Sequence, residues 1–400
     1  MQKTIEIAIA ASEQSNWSLV SQCLQQLPLE PSNLKPPLLK KAIELALQVL
    51  KESDFHQRWD VAKLLPKLGK EAIAPLIEIL EDEAADLETR WFVARILSEF
   101  DDPTCIVALV KLLRQTEEEE LSLVASQALA TIGTSAVEAL SGLLKDADSR
   151  LLAVQALAQI RRSEIVEPLL EVVDDRISEI RATAIEALGS FHEDRIVPLL
   201  LKALKDTASA VRKEAAITLG MRAQMDSQFD FVEHLQPLLY DLNLEVCQQA
   251  AIALGRMGTD DAAVALFPVL QSPVTPIGLR LTVVRALSWI ETPLALSYLQ
   301  AGLRLGEAEV CREIITVLGR QESPELKLKA AQILIEFFRS QEPIVQQTQI
   351  KQALAMSLGE LGQTDAIALL DALAEDAERI VRLHAIAAVK KFPRTEAGLS

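Results

Sequence analysis

An all-α fold, an α-solenoid (superhelix) of stacked helical hairpins, is predicted by three observations. A string recurs along the chain. Ile180-Arg181-x-x-Ala184-x-x-Ala187-Leu188-Gly189 returns as Val211-Arg212-x-x-Ala215-x-x-Thr218-Leu219-Gly220 and as Val246-Cys247-x-x-Ala250-x-x-Ala253-Leu254-Gly255. A period of about 30 residues marks a one-dimensional stack, because one hairpin cannot bury its own apolar side and needs neighbours to do so. Within each unit the apolar residues fall at i, i+3, i+4 and i+7, the helical period. Half the chain is apolar but only 4% is aromatic, so Ala and Leu carry the packing and let helices approach closely. The 400 residues would otherwise suggest two or three separate cores, whereas a stack lengthens without that division.

The elements follow in order. Residues 1–36 read as an N-terminal helical cap: 2–27 have the helical period without the motif, and a Pro-bearing stretch joins them to the array. Residues 37–392 form the array. Alignment on the Leu that closes each second helix puts Arg58, Arg90, Ser122, Arg150, Arg181, Arg212, Cys247, Arg280, Cys311, Lys351 and Arg382 in one column, which implies about 11 hairpins. Each hairpin is a helix A, a tight turn and a helix B; one unit reads 194–204, 205–208 and 210–219. Gly189, Gly220, Gly255, Gly319 and Gly359 suit the C-termini of B helices. Pro75, Pro168, Pro198, Pro237 and Pro268 fall in A helices, where they are expected to bend the helix and curve the stack. Irregular segments are expected near 221–232, 272–278 and 321–345, the last because 40 residues separate Cys311 from Lys351. Residues 393–400 read as a loose tail.

Acids precede the column in the A–B turn: Asp54 before Arg58, Asp146 before Arg150, Asp175 before Arg181, Asp206 before Arg212, and Asp376 before Arg382. Stacking brings the Arg of a neighbouring repeat into reach. A ladder of Asp–Arg contacts along one edge follows, with each acid also capping helix B. An exposed rung contributes about 0.5 kcal/mol, so the column is structural and not an active site.

The string x-V-R-x-x-A-x-x-A-L-G with its turn Asp resembles the HEAT repeat, and especially the HEAT-like repeat named for phycobilisome lyases. The resemblance covers about residues 37–392; Ser122, Cys247 and Cys311 depart from it in the Arg column. It implies an armadillo-like helical scaffold of the kind abundant in cyanobacteria, which links it to phycobilisome biology. A bilin lyase-like factor, attaching or detaching chromophore on phycobiliproteins, is the alternative that the resemblance brings, and a bilin is the one cofactor it admits. A third reading is an accessory factor of iron–sulfur cluster assembly that holds a carrier protein.

The residues themselves favour a non-catalytic scaffold that binds a protein. The net charge of −17 argues against general affinity for nucleic acid or anionic membranes. Residues 2–12 lack the apolar run of a secretory signal, and no eighteen-residue apolar stretch suggests a membrane span. Cys23, Cys105, Cys247 and Cys311 form no CxxC pair, which fits a reduced, cytoplasmic compartment. His56, His192, His234 and His384 are far apart, and no HExxH, GxSxG or phosphate-loop motif occurs, so neither catalysis nor a metal is expected. The acidic run 117–120 reads as a solvated helix start.

In such arrays the B helices line the concave side. Positions one, five and nine after the column share one helical face. That face carries two concentrations: Trp59, Lys63, Lys67, Trp91 and Arg95; then Arg256, Leu281, Arg285, Trp289, Arg312 and Arg320. Gln127, Gln155, Glu186, Ile217 and Ile252 lie between them. Trp and Arg are enriched at binding hot spots, so these residues are the candidate contacts for a partner with an acidic or mixed face. The alternative is that Trp59 and Trp91 only pack between repeats and the cations are solvated.

Overall fold

A computed structural model describes residues 2–27, 34–222 and 230–392. They are helices and short connections, with no strand among the described residues. The fold class is the α-solenoid of helical hairpins that the repeat predicts. The chain divides into two compact units, 1–191 and 192–400.

The first unit contains α1 (Gln2–Ser12), α2 (Trp17–Gln25), α3 (Pro36–Glu52), α4 (Phe55–Leu64), α5 (Ile73–Glu81) and α6 (Leu87–Leu97). It continues through α7 (Pro103–Gln115), α8 (Glu119–Ile132), α9 (Val137–Leu143), α10 (Arg150–Ile160), α11 (Val166–Leu170) and α12 (Ser178–Leu188). The second unit contains α13 (Val197–Ala203), α14 (Ser209–Arg222), α15 (Phe231–Leu235), α16 (Leu244–Met257), α17 (Asp260–Gln271) and α18 (Ile277–Trp289). It ends with α19 (Pro293–Leu303), α20 (Ala308–Leu318), α21 (Pro324–Arg339), α22 (Thr348–Leu361), α23 (Ile367–Ala374) and α24 (Arg379–Val389). Every column residue lies on an even-numbered helix from α4 onward, and successive even-numbered helices within a unit pack on one another.

Gly189 and Gly319 stand at the C-termini of α12 and α20 as expected. Gly220, Gly255 and Gly359 lie inside α14, α16 and α22 and do not end them. The left-handed caps of α16 and α22 are Gly258 (φ +68°) and Gly362 (φ +66°). The motif glycines instead set the spacing between B helices. A Cβ on Gly220 would lie 2.9 Å from the Ala253 Cα, one on Gly255 2.8 Å from the Ala286 Cα, and one on Gly359 2.6 Å from the Ala388 Cβ. On Gly319 it would lie 2.6 Å from the Ser357 Cβ. Each pair joins the Gly of one repeat to the small residue two positions earlier in the motif of the next, so backbone meets backbone with no side chain between.

Four of the five prolines lie outside helix interiors. Pro75, Pro168 and Pro198 sit in the first turns of α5, α11 and α13, where helix N–H groups have no intrahelical acceptor in any case. A single 3₁₀ turn precedes each: Lys70–Ala72, Ser163–Ile165 and Asp194–Ile196. Pro237 lies in the 3₁₀ segment Gln236–Tyr240, and Pro268 alone of the five stands in a helix interior.

The segment expected to be irregular near 321–345 is mostly helix. The extra residues make α21 sixteen residues long, with Leu326, Ala330, Ile333, Leu334 and Phe337 buried along one stripe, followed by the 3₁₀ turn Pro343–Gln346. Near 272–278, residues 272–276 form a non-helical connection before α18. Near 221–232, α14 runs through Arg222 and α15 starts at Phe231, while 223–229 lie outside the described residues, as do 28–33 of the expected joint and the tail 393–400. By length and composition, Glu119–Leu143 is apolar enough to cross a membrane, contrary to the expectation that no stretch would be. It is not one straight helix: α8 stops at Ile132, Gly133 takes φ +82°, and a 3₁₀ turn leads into α9.

At five column positions the edge ladder runs from the cation to an acid in the turn of the following repeat, whereas Arg90 donates to the Leu80 carbonyl. Arg212 makes two parallel bonds to Asp241, Nε to Oδ2 and Nη2 to Oδ1, both 2.7 Å. Arg150 reaches Asp175 at 2.8 Å, and Lys351 reaches Asp376 at 2.7 Å. Arg58 reaches Asp86 at 3.2 Å and Glu88 at 2.8 Å, and Arg280 reaches Glu307 at 2.6 Å. Asp146 lies 3.8 Å from Arg114 on α7, because Ser122 occupies the column position before it. The column side chain also donates to its own turn: Arg181 to the Asp175 carbonyl (2.7 Å), Arg212 to that of Asp206 (2.7 Å), and Arg382 to that of Asp376 (2.8 Å). Cys247 keeps this second bond, its thiol 3.2 Å from the Asp241 carbonyl, and so stands in for half of an Arg.

Helix capping by the acids holds at Asp54, which accepts from the N–H groups of His56 and Gln57. Asp175, Asp206 and Asp376 differ from expectation. They accept from Ile177, Ala208 and Glu378, two residues on, which closes an Asx turn ahead of the helix.

Two outcomes test this packing. Ala in place of a helix-interior Gly ordinarily gains about 1 kcal/mol. Gly255→Ala should instead lose about 1–3 kcal/mol, since the added methyl overlaps the Ala286 backbone. Gly142→Ala, with nothing within 4 Å of the new carbon, should be neutral or stabilising. Urea unfolding of both variants checks the sign, and a stabilised Gly255→Ala would remove the close approach from the account.

The second concerns Asp241. The hydrogen bond from Arg212 holds its carboxyl below the usual carboxylate range. Its contribution is therefore complete above the unfolded value of about 3.9 and is lost as pH falls through the folded one. Asp241→Asn should be less stable than the parent at neutral pH, and the gap should narrow below about pH 4. A gap that stays constant down to acid pH would show that the charge of Asp241 is not what stabilises the rung.

Candidate partner-binding face

Burial along a B helix decides what remains for a partner. In α18 the positions before and within the motif, Leu279, Arg280, Val283, Val284, Ala286 and Leu287, are buried, while Arg285 and Trp289 are exposed. The face one, five and nine residues after the column is the part of the helix least buried by stacking.

In the first unit this face holds an aromatic–cation cluster. Phe92 of α6 is fully buried and anchors it. The rings of Trp59 and Trp91 meet Phe92 edge to face, with centroids 6.2 and 5.2 Å away, and Phe55 stacks on Trp59 at 6.0 Å. The Arg95 guanidinium lies 4.8 Å from the Trp59 centroid and 5.8 Å from that of Trp91. Lys63 is 5.4 Å above Trp59. These contacts hold a planar donor group against two rings, an arrangement in which an exposed cation–π pair contributes about 0.5–1 kcal/mol. Trp59 and Trp91 are half-buried, while Lys63 and Arg95 are exposed. The two Trp therefore both pack between repeats and present a surface. Lys67, in the 3₁₀ turn Leu65–Leu68 after α4, is exposed and stands apart from the rings.

Phe55 is the residue that sequence reasoning missed. It is the first residue of α4 and is 52% exposed. With Leu87, Glu88, Trp91 and Glu120 it lines a hollow of about 360 Å³. A large apolar side chain at a helix start, three residues before the column, is the signal that pointed to it; Leu87 repeats that position one unit later.

In the second unit the candidate residues separate into three situations. Arg256, Trp289 and Arg320 occupy the ninth position after the column in successive repeats and all are exposed; Trp289 is 48% exposed. Arg285 is already committed, its Nε 2.5 Å from Glu313 of the next B helix, and Leu281 is half-buried. Arg312 and Arg320 line a cleft of about 930 Å³ between α20 and α22, with Lys327, Met356 and Ser357 also on its walls.

The four cysteines are buried and unpaired. Burial pushes the thiols of Cys105 and Cys311 up to about 11, so they stay protonated and unreactive at neutral pH. Cys311 donates to the Leu303 carbonyl at 3.3 Å. His384 contacts Gln352 and His234 contacts the Asp230 carbonyl, each at 2.8 Å. Among the described residues no group of three His, Cys, Asp or Glu is placed to hold a metal ion.

Comparison with known proteins adds the following. A family model described as HEAT repeats matches residues 73–158, 145–220, 166–237 and 232–319. No curated protein matches the chain. Among solved structures the chain is similar to importin beta, with a TM-score of 0.58 and 14% identity over 97% of this chain and 64% of that one. A Kap95:Nup1 complex gives a TM-score of 0.58 and 12% identity over 97% of this chain and 62% of that one. The chain thus spans less than two thirds of the length of either, and the likeness concerns the fold. The complex of CpcE and CpcF of phycocyanin lyase from Nostoc sp. PCC7120 matches at 19% identity over 66% of this chain and 97% of that one, with a TM-score of 0.29.

Proposed function

The chain belongs to the HEAT-repeat family, and on that premise we propose that it is a non-catalytic scaffold or adaptor that grips a partner protein with its B-helix face. Residues 37–392 supply the array and 1–36 its cap. The observation that carries this reading is the Trp59–Arg95–Trp91 cluster. It is a preformed aromatic surface whose exposed cations match a partner with an acidic or mixed face, on a protein whose net charge is −17. Stacking leaves Arg95 and Lys63 free of any ion pair among the described residues, so their charge is available. A structural neighbour solved as a Kap95:Nup1 complex supports the choice of a protein as ligand by analogy alone. No residue of the described structure favours bilin or iron–sulfur carrier handling over this reading.

The test is capture. The tagged chain is used to isolate its partner, the partner is identified and purified, and its affinity is measured directly. Trp59→Ala with Trp91→Ala should weaken binding by about 30-fold or more, as loss of a hot spot of 2 kcal/mol or above does. Circular dichroism and melting confirm that the variant is folded. Undiminished affinity in a folded double variant would move the binding site elsewhere.

A further inference from the structure

We propose that the cleft between α20 and α22 receives an extended acidic segment of a partner protein, with two carboxylates flanking one apolar side chain. This rests on the scaffold reading and assigns the chemistry of one of its contacts.

Three observations converge there. The first is unspent charge. Several cations on the B helices of this unit are already spent on ion pairs: Arg212 with Asp241, Arg280 with Glu307, Arg285 with Glu313, and Lys351 with Asp376. Arg312, Arg320 and Lys327 line the cleft and form no ion pair among the described residues. Of the two acids on its walls, Glu360 is bound to Lys391, which leaves Glu322 against three cations. The second is shape. Gly319 and Ser357 bring α20 and α22 close, and the long α21 supplies Lys327 to the rim, so a volume of about 930 Å³ opens over the seam. That lies within the range of ligand pockets, about 300–1,000 Å³. The third is the wall chemistry. Met356, 50% exposed, and Ala353 form an apolar stretch beside the cations, and a Met surface adapts to the side chain it meets.

The spacing selects the segment. Arg312 lies in α20 and Arg320 two residues beyond its end at Leu318, eight positions apart, or about 12 Å at a helical rise of 1.5 Å per residue. In an extended chain, residues i and i+4 are about 13 Å apart on one face, with i+2 between them on that same face. A Glu-x-Leu-x-Glu segment thus sets its carboxylates against Arg312 and Arg320 and its Leu against Met356. Guanidinium–carboxylate pairing provides orientation as well as attraction.

The experiment uses the full chain and fluorescein-labelled Ser-Glu-Ser-Leu-Ser-Glu-Ser, followed by fluorescence anisotropy. Saturable binding is expected, weaker by at least about tenfold for the peptide with Gln at both Glu positions. Arg312→Glu with Arg320→Glu should abolish binding of the Glu peptide and confer binding of the peptide with Lys at both positions. Three results would overturn the proposal: no saturation by about 1 mM, equal affinity for the Gln peptide, or unchanged affinity in the charge-reversed variant with a parental melting curve. Displacement of the peptide by millimolar inorganic phosphate would likewise overturn it, since the cleft would then be a simple anion site. The Trp59→Ala/Trp91→Ala variant separates this idea from the scaffold reading. It should bind the peptide as the parent does. If peptide binding fails while capture still depends on the two Trp, the cleft assignment alone falls; if the peptide binds and capture is indifferent to the Trp, the cluster is the part in error.

Discussion

The approach of one B helix to the next is limited by backbone contact. Where Gly220 faces Ala253 and Gly255 faces Ala286 there is no room for another carbon. This distance governs the other contacts of the second unit. It brings Arg212 within bidentate reach of Asp241, so a long flexible side chain is not required to search for its acid. It also keeps Val283 and Val284, the middle of the motif, fully buried by the neighbouring repeats. Close packing at native density makes such a seam intolerant of even one methylene.

The ladder is secondary to that seam. Its rungs are formed by Arg, by Lys351 and in part by Cys247, and the acid is Asp at some turns and Glu307 at another. The column side chain supplies a donor to the carbonyls of its own turn, as Arg181 and Cys247 do, a charge for the next turn, as Arg280 and Lys351 do, or both, as Arg212 does. Arg meets both needs because its planar fork carries several donors at fixed geometry. Cys247 meets only the first, and the turn before α16 still closes, through Asp241 and Asn243. Substitutions in the column are therefore tolerable in a way that substitutions at the glycine seam are not.

Much of the fold was legible from the spacing of a few residue types. Arg in one column, Ala-Leu-Gly at its end and an acid in the turn identify the hairpin, its period and its edge contacts. The misreadings share a cause. Local rules make the motif Gly a helix terminator, which holds at Gly189 and Gly319, whereas at Gly220, Gly255 and Gly359 the role is tertiary. Likewise a Pro in a helical stretch suggests a bend, although Pro75, Pro168 and Pro198 each lie in a first turn directly after a 3₁₀ turn. The Cys311–Lys351 interval was read as an irregular insertion because length alone says nothing of its period; the stripe Leu326, Ala330, Ile333, Leu334 and Phe337 shows that helix continues through most of it. On the candidate face, register placed Trp59, Trp91, Arg95 and Lys63 together. It could not show that Arg285 is bound to Glu313, since that pairing depends on which neighbour a side chain meets across the stack.

The division of labour within each B helix explains why so regular an architecture can be specific. The column and turn are occupied by the ladder, and the Ala, Leu and Gly positions by the seam. A change at any of these is felt first as lost stability. The positions one, five and nine residues on are less constrained, apart from contacts such as Arg285 with Glu313 and the packing of Trp59 and Trp91 on Phe92, and they differ in charge and size from repeat to repeat: Gln, Ile and Glu in the middle of the chain, aromatic and cationic groups at α4 and α6, and unpaired Arg at α20. On the proposed scaffold reading, recognition depends on where along the array these positions depart from neutral polarity. In an acidic chain those departures are the places where exposed cations lie beside apolar surface, because there a partner gains both charge complementarity and apolar burial from the same contact.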